Sequence, residues 1–262
     1  MYELVTISFS HYCEKARWAL DLAGVRYRET PFMPALHLPY VAWKLRGSDV
    51  GTRDSASSRY STPLLSRGAL RVSDSREIAR YVDTHHGTGS LFAPKEAEAL
   101  DREYAEHLGP HTRRVVYYFG LARPSLLFGL ADAQVDRPQA VLFRAFFPVG
   151  RAFLRRALQI DERGYRTSLD RIRQAADKAA ARLADGRPYL CGEDFSVADL
   201  GFASMMAPAV FPPEYGVSLP LLEGLEPDAQ EIVRTYREHP AGEFTLRMYR
   251  EHRRPAEPPP LP

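Results

Sequence analysis

The chain of 262 residues has only two cysteines, Cys13 and Cys191, too few for a disulfide framework in a protein of this length. It also lacks a signal-peptide pattern, because residues 1–7 read directly as a strand, with no basic segment followed by an apolar run. We therefore expect a reducing compartment, and the cytoplasm is the simplest choice.

Long apolar runs and an excess of one charge are missing as well. The most apolar window, residues 140–158, is interrupted by arginines, so no window reaches the ~18 residues that a membrane span needs. The 35 basic and 33 acidic residues give a formal net charge of +2. This balance argues against nucleic acid and against a membrane surface as partners.

The sequence changes its pattern near residue 88, which we interpret as a domain boundary. Residues 1–86 show the order β-α-β, an irregular stretch and then β-β-α. Residues 95–254 have helical spacing almost throughout, and residues 255–262, with five prolines, form a tail. The sequence thus predicts an α/β N-terminal domain (βαβ-ββα) and an all-α C-terminal helical domain.

Turn and cap signals predict two details of the N-terminal domain. Residues 62–72 are expected to form a hairpin with a four-residue loop at residues 66–69. Residues 74–83 are expected to form a helix that begins with a capping box of Asp74 and Glu77.

In the second half, Gly109-Pro110 is expected to kink or split a helical segment at residues 95–121. Pro240 is expected to end the last predicted helix. The other helical segments are predicted at residues 138–158, 167–183, 196–206 and 228–239.

The segment Ser10-His11-Tyr12-Cys13 lies between the first strand and the first helix, where thioredoxin-like redox proteins carry Cys-x-x-Cys. A helix N-terminus favours a thiolate through its free N–H groups and partial positive charge. With serine in the first position, the hydroxyl of Ser10 can donate to a thiolate that a ligand brings; otherwise Ser10 is only a helix cap. We expect His11 to face solvent and Cys13 to be packed.

Two further dipeptides suit a peptide ligand. If Thr62-Pro63 is cis, the backbone of Thr62 turns outward and can pair with an extended peptide. Ser75 at a helix N-terminus suits a carboxylate, and Asp74 can accept from an ammonium group. The alternatives are a loop dipeptide and a plain helix cap.

Together, these motifs in this order resemble the N-terminal domain of the glutathione transferase superfamily, which is thioredoxin-like. Residues 187–200, which include Phe-Ser-Val-Ala-Asp-Leu, resemble the capped helix of its helical domain. The resemblance extends over residues 1–250 and implies that Ser196 and Asp199 of this capped helix are structural.

The resemblance implies a role for each site residue. Ser10 would be the catalytic residue that hydrogen-bonds the glutathione sulfur, as in serine-type enzymes of bacterial kind. Thr62 and Pro63 would hold the cysteinyl backbone, and Asp74 and Ser75 would hold the γ-glutamyl head. Glutathione is then a co-substrate, and no metal is implied.

A second-substrate pocket is expected next to this site. His111, Val115 and Tyr118 fall on one helical face, and Tyr12 approaches from the other domain. His107 and His111 have the spacing of a metal-binding pair, but a proline lies between them and no third ligand is near, so we expect no metal.

These observations favour an enzyme that conjugates glutathione to a small, hydrophobic electrophile, a detoxification reaction. The alternatives are peroxide reduction or isomerisation at the same site, or a binding protein without turnover. The resemblance also implies a homodimer. The ligand of the glycyl carboxylate is open between Lys44, Arg46 and Arg53.

Overall fold

The N-terminal part folds around a four-stranded mixed sheet with the strand order β2-β1-β3-β4. The strands of this computed structural model, which describes residues 1–50 and 59–253, are β1 (Tyr2–Ile7), β2 (Tyr27–Phe32), β3 (Leu64–Arg67) and β4 (Leu70–Ser73). β1 runs parallel to β2 and antiparallel to β3, and β3 pairs antiparallel with β4. Strand β1 is therefore central and is almost entirely buried.

Both faces of the sheet are covered by helices, because consecutive strand residues point to opposite sides. The helices are α1 (His11–Leu22), α2 (Leu38–Lys44) and α3 (Ser75–His85). Leu4 and Leu65 pack in one cluster with residues of α1 and α3. Val5 and Leu64 pack on the other face with residues of α2. This layering confirms the thioredoxin-like fold.

The hairpin is tighter than the sequence predicts. β3 continues to Arg67 and β4 begins at Leu70, and these two residues pair directly. The expected four-residue loop is therefore wrong, and only Gly68 and Ala69 form the turn. Gly68 has a φ of 56°, which glycine adopts without steric cost and which permits the short connection.

Helix α3 begins at a cap, but not at the reciprocal box that the sequence predicts. The carboxylate of Asp74 accepts from the backbone N–H of Arg76 at 2.8 Å. Glu77 lies 3.6 Å from the guanidinium of Arg76 instead. Only one half of the predicted capping box is therefore present.

Helices make up the second part, confirming the predicted class. They are α4 (Ala97–His107), α5 (Gly109–Ala122), α6 (Pro124–Gln134), α7 (Arg137–Ala157), α8 (Glu162–Leu183), α9 (Val197–Val210), α10 (Pro227–Glu238) and α11 (Pro240–His252). Gly109-Pro110 separates α4 from α5 as predicted. Pro240 ends α10 and also begins α11, because a proline at the first helical position needs no N–H partner. The sequence analysis missed α6 and α11.

Helix α9 is the core of the second part, since it is apolar all round and almost every residue is buried. Its first turn is fixed by Asp199, whose carboxylate accepts from the N–H and the hydroxyl of Ser196 at 2.8 and 2.7 Å. The same carboxylate accepts from the N–H of Leu190 at 2.7 Å. Ser196 and Asp199 therefore join α9 to the preceding loop.

Helix α1 lies between the two parts, and its charged side chains are buried there. Lys15 forms an ion pair with Asp101 of α4, and both side chains are fully buried. Arg17 pairs with Glu14 at 3.1 Å. Arg253, after α11, pairs with Glu14 at 2.7 Å. These ion pairs connect α1 to both ends of the helical part.

We predict that removing one partner of the Lys15–Asp101 pair destabilises the protein strongly. Asp101→Leu leaves the ammonium of Lys15 buried without a partner, which costs about 3–5 kcal/mol in the free energy of unfolding. The double variant Lys15→Met/Asp101→Leu, which buries no charge, should recover most of this loss. Urea unfolding at neutral pH measures both, and a stable single variant would contradict the prediction.

Candidate functional site

Ser10 occupies the N-cap position of α1, but its hydroxyl makes no capping hydrogen bond. The backbone holds it instead: its N–H donates to the carbonyl of Ile7 at 2.9 Å, and its carbonyl accepts from the N–H of Glu14 at 2.8 Å. The hydroxyl lies at the positive end of the helix dipole, where it acts on the neighbouring thiol of Cys13 rather than on the backbone of the first turn.

A cavity of about 460 Å³ lies between the N-terminal part and the helices, with Ser10 and Thr62 on its wall. Most of the wall is apolar and comes from α5, α6, α7 and α10 and from the segment that follows α9. Among the described residues that line it there is no aspartate, glutamate or lysine, and Arg113 is the one with a permanent charge. The cavity suits an apolar molecule placed beside Ser10.

Thr62 and Cys13 lie next to Ser10 in the structure. The peptide bond between Thr62 and Pro63 is cis. Cys13 is fully buried, as expected of a packed thiol. Burial raises the pKa of its thiol, although Arg17 and the side chains of Thr62 and Ser10 act in the opposite direction. A thiol that is buried and protonated is a poor nucleophile.

Asp74 and Ser75 lie at the start of α3 and do not line the cavity. Asp74 has a φ of 77°, a left-handed conformation that is unusual for a residue other than glycine. Such a conformation tends to persist where surrounding structure or function demands it. Ser75 is buried as the first residue of the helix.

Tyr12 and Val115, two of the residues predicted for a second-substrate pocket, both line the cavity. The hydroxyl of Tyr12 donates to the carbonyl of Ala105 at 2.8 Å. Burial raises the pKa of Tyr12 to about 12, with Arg113 opposing and Asp74 reinforcing the rise. Tyr12 therefore stays protonated and contributes its ring to the wall.

His111 and Tyr118 do not line the cavity, contrary to expectation, because both face α8. The imidazole of His111 lies 3.1 Å from the hydroxyl of Ser168. Tyr118 stacks on Tyr165, with ring centroids 4.2 Å apart, and donates to Glu162 at 2.7 Å. The packing of α5 against α8 sets the rotation of α5, which spacing alone does not determine.

The α5 residues on the cavity wall also include Arg113, Tyr117 and Gly120, which were not predicted from the sequence. These residues follow the spacing i, i+4, i+7 of a single helical face. The sequence signal that could have revealed this face is the combination of a cation, Arg113, at one end and a small residue, Gly120, at the other.

His11 and His37 are buried, and the expectation that His11 faces solvent is wrong. Burial and the charge of Arg113 lower the pKa of His11 to about 3, despite a hydrogen bond to the backbone of Gly109. Burial lowers the pKa of His37 to about 4. Each has one ring nitrogen without a partner among the residues described. Both are therefore neutral near neutral pH.

Of the candidate ligands for a glycyl carboxylate, Lys44 is already engaged by Glu3. Burial would raise the pKa of Glu3, but hydrogen bonds from Lys44, Thr30 and Tyr40 lower it to about 2. Arg53 lies outside the described residues.

Residues 1–50 and 59–253 contain neither a metal-binding cluster nor a helix that could span a membrane. No cluster of three or more histidine, cysteine, aspartate or glutamate side chains there could hold a metal ion. None of the helices in these ranges has the length and apolar character of a membrane span.

Comparison with known proteins gives one sequence match and many structural matches. Residues 9–85 match the family described as glutathione S-transferase, N-terminal domain. No curated protein matches the sequence. Among solved structures, a glutathione S-transferase III in apo form is 18% identical with a TM-score of 0.51, covering 100% of this chain and 99% of that one.

Two further solved structures show the same likeness. Glutathione transferase F2 from Populus trichocarpa is 12% identical with a TM-score of 0.55, covering 95% of this chain and 99% of that one. The beta-etherase LigF from Sphingobium sp. strain SYK-6 is 15% identical with a TM-score of 0.55, covering 94% and 98%. At these identities the likeness shows a shared fold.

The fold is therefore a thioredoxin-like part followed by a helical part, shared over nearly the whole chain with these structures. By sequence, residues 9–85 match the N-terminal domain of the glutathione S-transferases, and by fold nearly the whole chain resembles solved glutathione transferases.

The two buried histidines predict that stability falls in mild acid. Their pKa values are about 3 and about 4 when folded but about 6.5 when unfolded. Between these values the unfolded chain binds protons that the folded chain does not, so stability rises with pH and is lost on acidification. Each histidine should cost about 2 kcal/mol between about pH 7 and about pH 5.

Urea unfolding at the two pH values measures this loss. His37→Gln should remove about half of the histidine contribution, whereas His107→Gln, at an exposed position, should not change it. An unaltered pH dependence in His37→Gln would contradict the prediction.

Proposed function

We propose that this protein is a glutathione-dependent transferase that lowers the pKa of the glutathione thiol and conjugates the thiolate to a small, hydrophobic electrophile. The observation that carries the proposal is the hydroxyl of Ser10, which caps nothing and stands at the N-terminus of α1 on the cavity wall. A hydroxyl that served only as a helix cap would be bonded to the backbone of the first turn.

The chemistry follows from this position. The unperturbed pKa of a thiol is about 8.5, and a hydrogen bond from Ser10 together with the helix dipole stabilises the thiolate relative to the thiol. The thiol proton leaves to solvent, and the sulfur forms a bond to the electrophilic carbon. The leaving group then departs with the electron pair of its own bond. Proximity within the cavity supplies the remaining acceleration.

Glutathione would bind along the N-terminal part. The backbone of Thr62 is assigned to the cysteinyl residue, with Pro63 holding it in place, and Asp74 and Ser75 to the γ-glutamyl head. The left-handed conformation of Asp74 supports this assignment, as does the neighbouring guanidinium of Arg76, a positive charge near a bound carboxylate.

The roles of the two parts, the location and the oligomeric state belong to the same proposal. Residues 1–86 would bind glutathione and residues 95–254 the electrophile. Both cysteines are free, which agrees with a cytoplasmic location, and a homodimer with a role in detoxification is proposed from the family. Peroxide reduction or isomerisation would use the same thiolate, and a screen of substrates separates them from conjugation.

Substitution of Ser10 tests the proposal. In Ser10→Ala the thiol of bound glutathione loses a hydrogen bond to its charged form, worth about 1.5–3 kcal/mol. Its pKa should rise by roughly 1–2 units, and kcat for conjugation at neutral pH should fall about tenfold or more. Glutathione should still bind.

The ultraviolet absorbance of the thiolate, followed against pH, measures the first effect. Ser8→Ala is the matched control, because Ser8 is two residues away and does not line the cavity. If Ser10→Ala behaves like Ser8→Ala, Ser10 has no catalytic role.

A further inference from the structure

Arg113 is the one permanently charged side chain among the described residues that line the cavity. It lies on α5, within the second part of the protein. No carboxylate shares the wall with it, and the two histidines there are neutral near neutral pH. The cavity therefore contains one positive charge that no described lining residue balances.

Arg113 has neither a hydrogen bond nor an ion pair with any described residue; its guanidinium lies 5.9 Å from the ring centre of Tyr12, a cation–π contact. Its neighbour Arg114 is anchored, donating to the carbonyl of Leu158 at 2.7 Å and to the hydroxyl of Ser168 at 2.8 Å. The side chain of Arg113 is partly exposed, and its five donors suit an anionic ligand.

The charge of Arg113 acts on the region around Ser10. It lowers the pKa of His11, beside Ser10, and opposes the rise that burial causes at Tyr12 and Tyr117. A molecule in the cavity therefore meets the cation while its apolar body contacts the surrounding wall.

We propose that Arg113 binds an anionic group of the second substrate, and that the preferred electrophiles are apolar molecules bearing a carboxylate or a similar anion. This inference rests on the proposed function. The planar guanidinium matches a carboxylate in a bidentate arrangement. Such an electrophile would place its anion on α5 and its apolar part in the cavity, next to the thiolate.

Glutathione carries carboxylates of its own. The experiment therefore has to distinguish an Arg113 that binds the anion of the second substrate from an Arg113 that binds a carboxylate of glutathione. Chlorodinitrobenzene and its carboxylate analogue chlorodinitrobenzoate are matched electrophiles that differ in charge. For each, kcat/KM is measured in the parent, in Arg113→Gln, in Arg113→Lys and in Arg166→Gln. Arg166 is a control on α8, away from the cavity and exposed.

We expect the ratio of kcat/KM for the benzoate to that for the neutral compound to fall about ten- to a hundredfold in Arg113→Gln. Arg113→Lys should retain part of the ratio, and Arg166→Gln all of it. An unchanged ratio in Arg113→Gln overturns the inference. The inference is also overturned if Arg113→Gln binds glutathione more weakly but keeps the parent's ratio of kcat/KM values. That result would assign Arg113 to glutathione.

A binding experiment separates this inference from the proposed function. Calorimetry with dinitrobenzoate and dinitrobenzene, which lack the leaving group, needs no turnover. Tighter binding of the benzoate by the parent, lost in Arg113→Gln, supports the anion site even if neither electrophile reacts. Equal binding of the two compounds by the parent overturns it.

Discussion

Lys15 and Arg17 of α1 are buried against carboxylates, Asp101 on α4 and Glu14 on α1 itself. A buried charge that loses its partner costs several kcal/mol. The Arg17–Glu14 pair moves with the helix, so the Lys15–Asp101 pair is the one that restricts the position of α1. Arg253 adds a second connection to Glu14 from the end of the chain that is described. The helix start, roughly one to two turns away, is therefore held rigidly against the cavity.

The distribution of charge differs sharply between that junction and the site. At the junction every buried cation named above has a carboxylate beside it. The charges there are therefore neutralised in pairs, and these pairs stabilise the packing of α1. On the cavity wall the histidines are neutral, and among the described residues Arg113 and the N-terminus of α1 are the sources of positive potential. A site of this kind stabilises an anion that arrives with a ligand, and a glutathione thiolate is such an anion.

The architecture could be predicted from the sequence because apolar residues follow strand and helix spacing in the first part and helix spacing in the second. Gly109-Pro110 also signals the break between α4 and α5. The hairpin loop was misjudged because strand pairing reaches closer to Gly68 than turn propensity indicates. Residues near one another in sequence, Ser10 and Tyr12, were found on the cavity wall as expected, together with Thr62. His111 and Tyr118 were not, because the rotation of α5 depends on packing against α8.

The central claim is that glutathione binds where Ser10, Thr62 and the start of α3 meet. Isothermal titration calorimetry of the parent and of Asp74→Ala/Ser75→Ala tests it most directly. Asp161→Ala is the control, since Asp161 caps α8 in the way that Asp74 caps α3. The account predicts that the parent and Asp161→Ala bind glutathione and that the double variant does not. No binding by the parent at millimolar glutathione, or equal binding by the double variant, would contradict it.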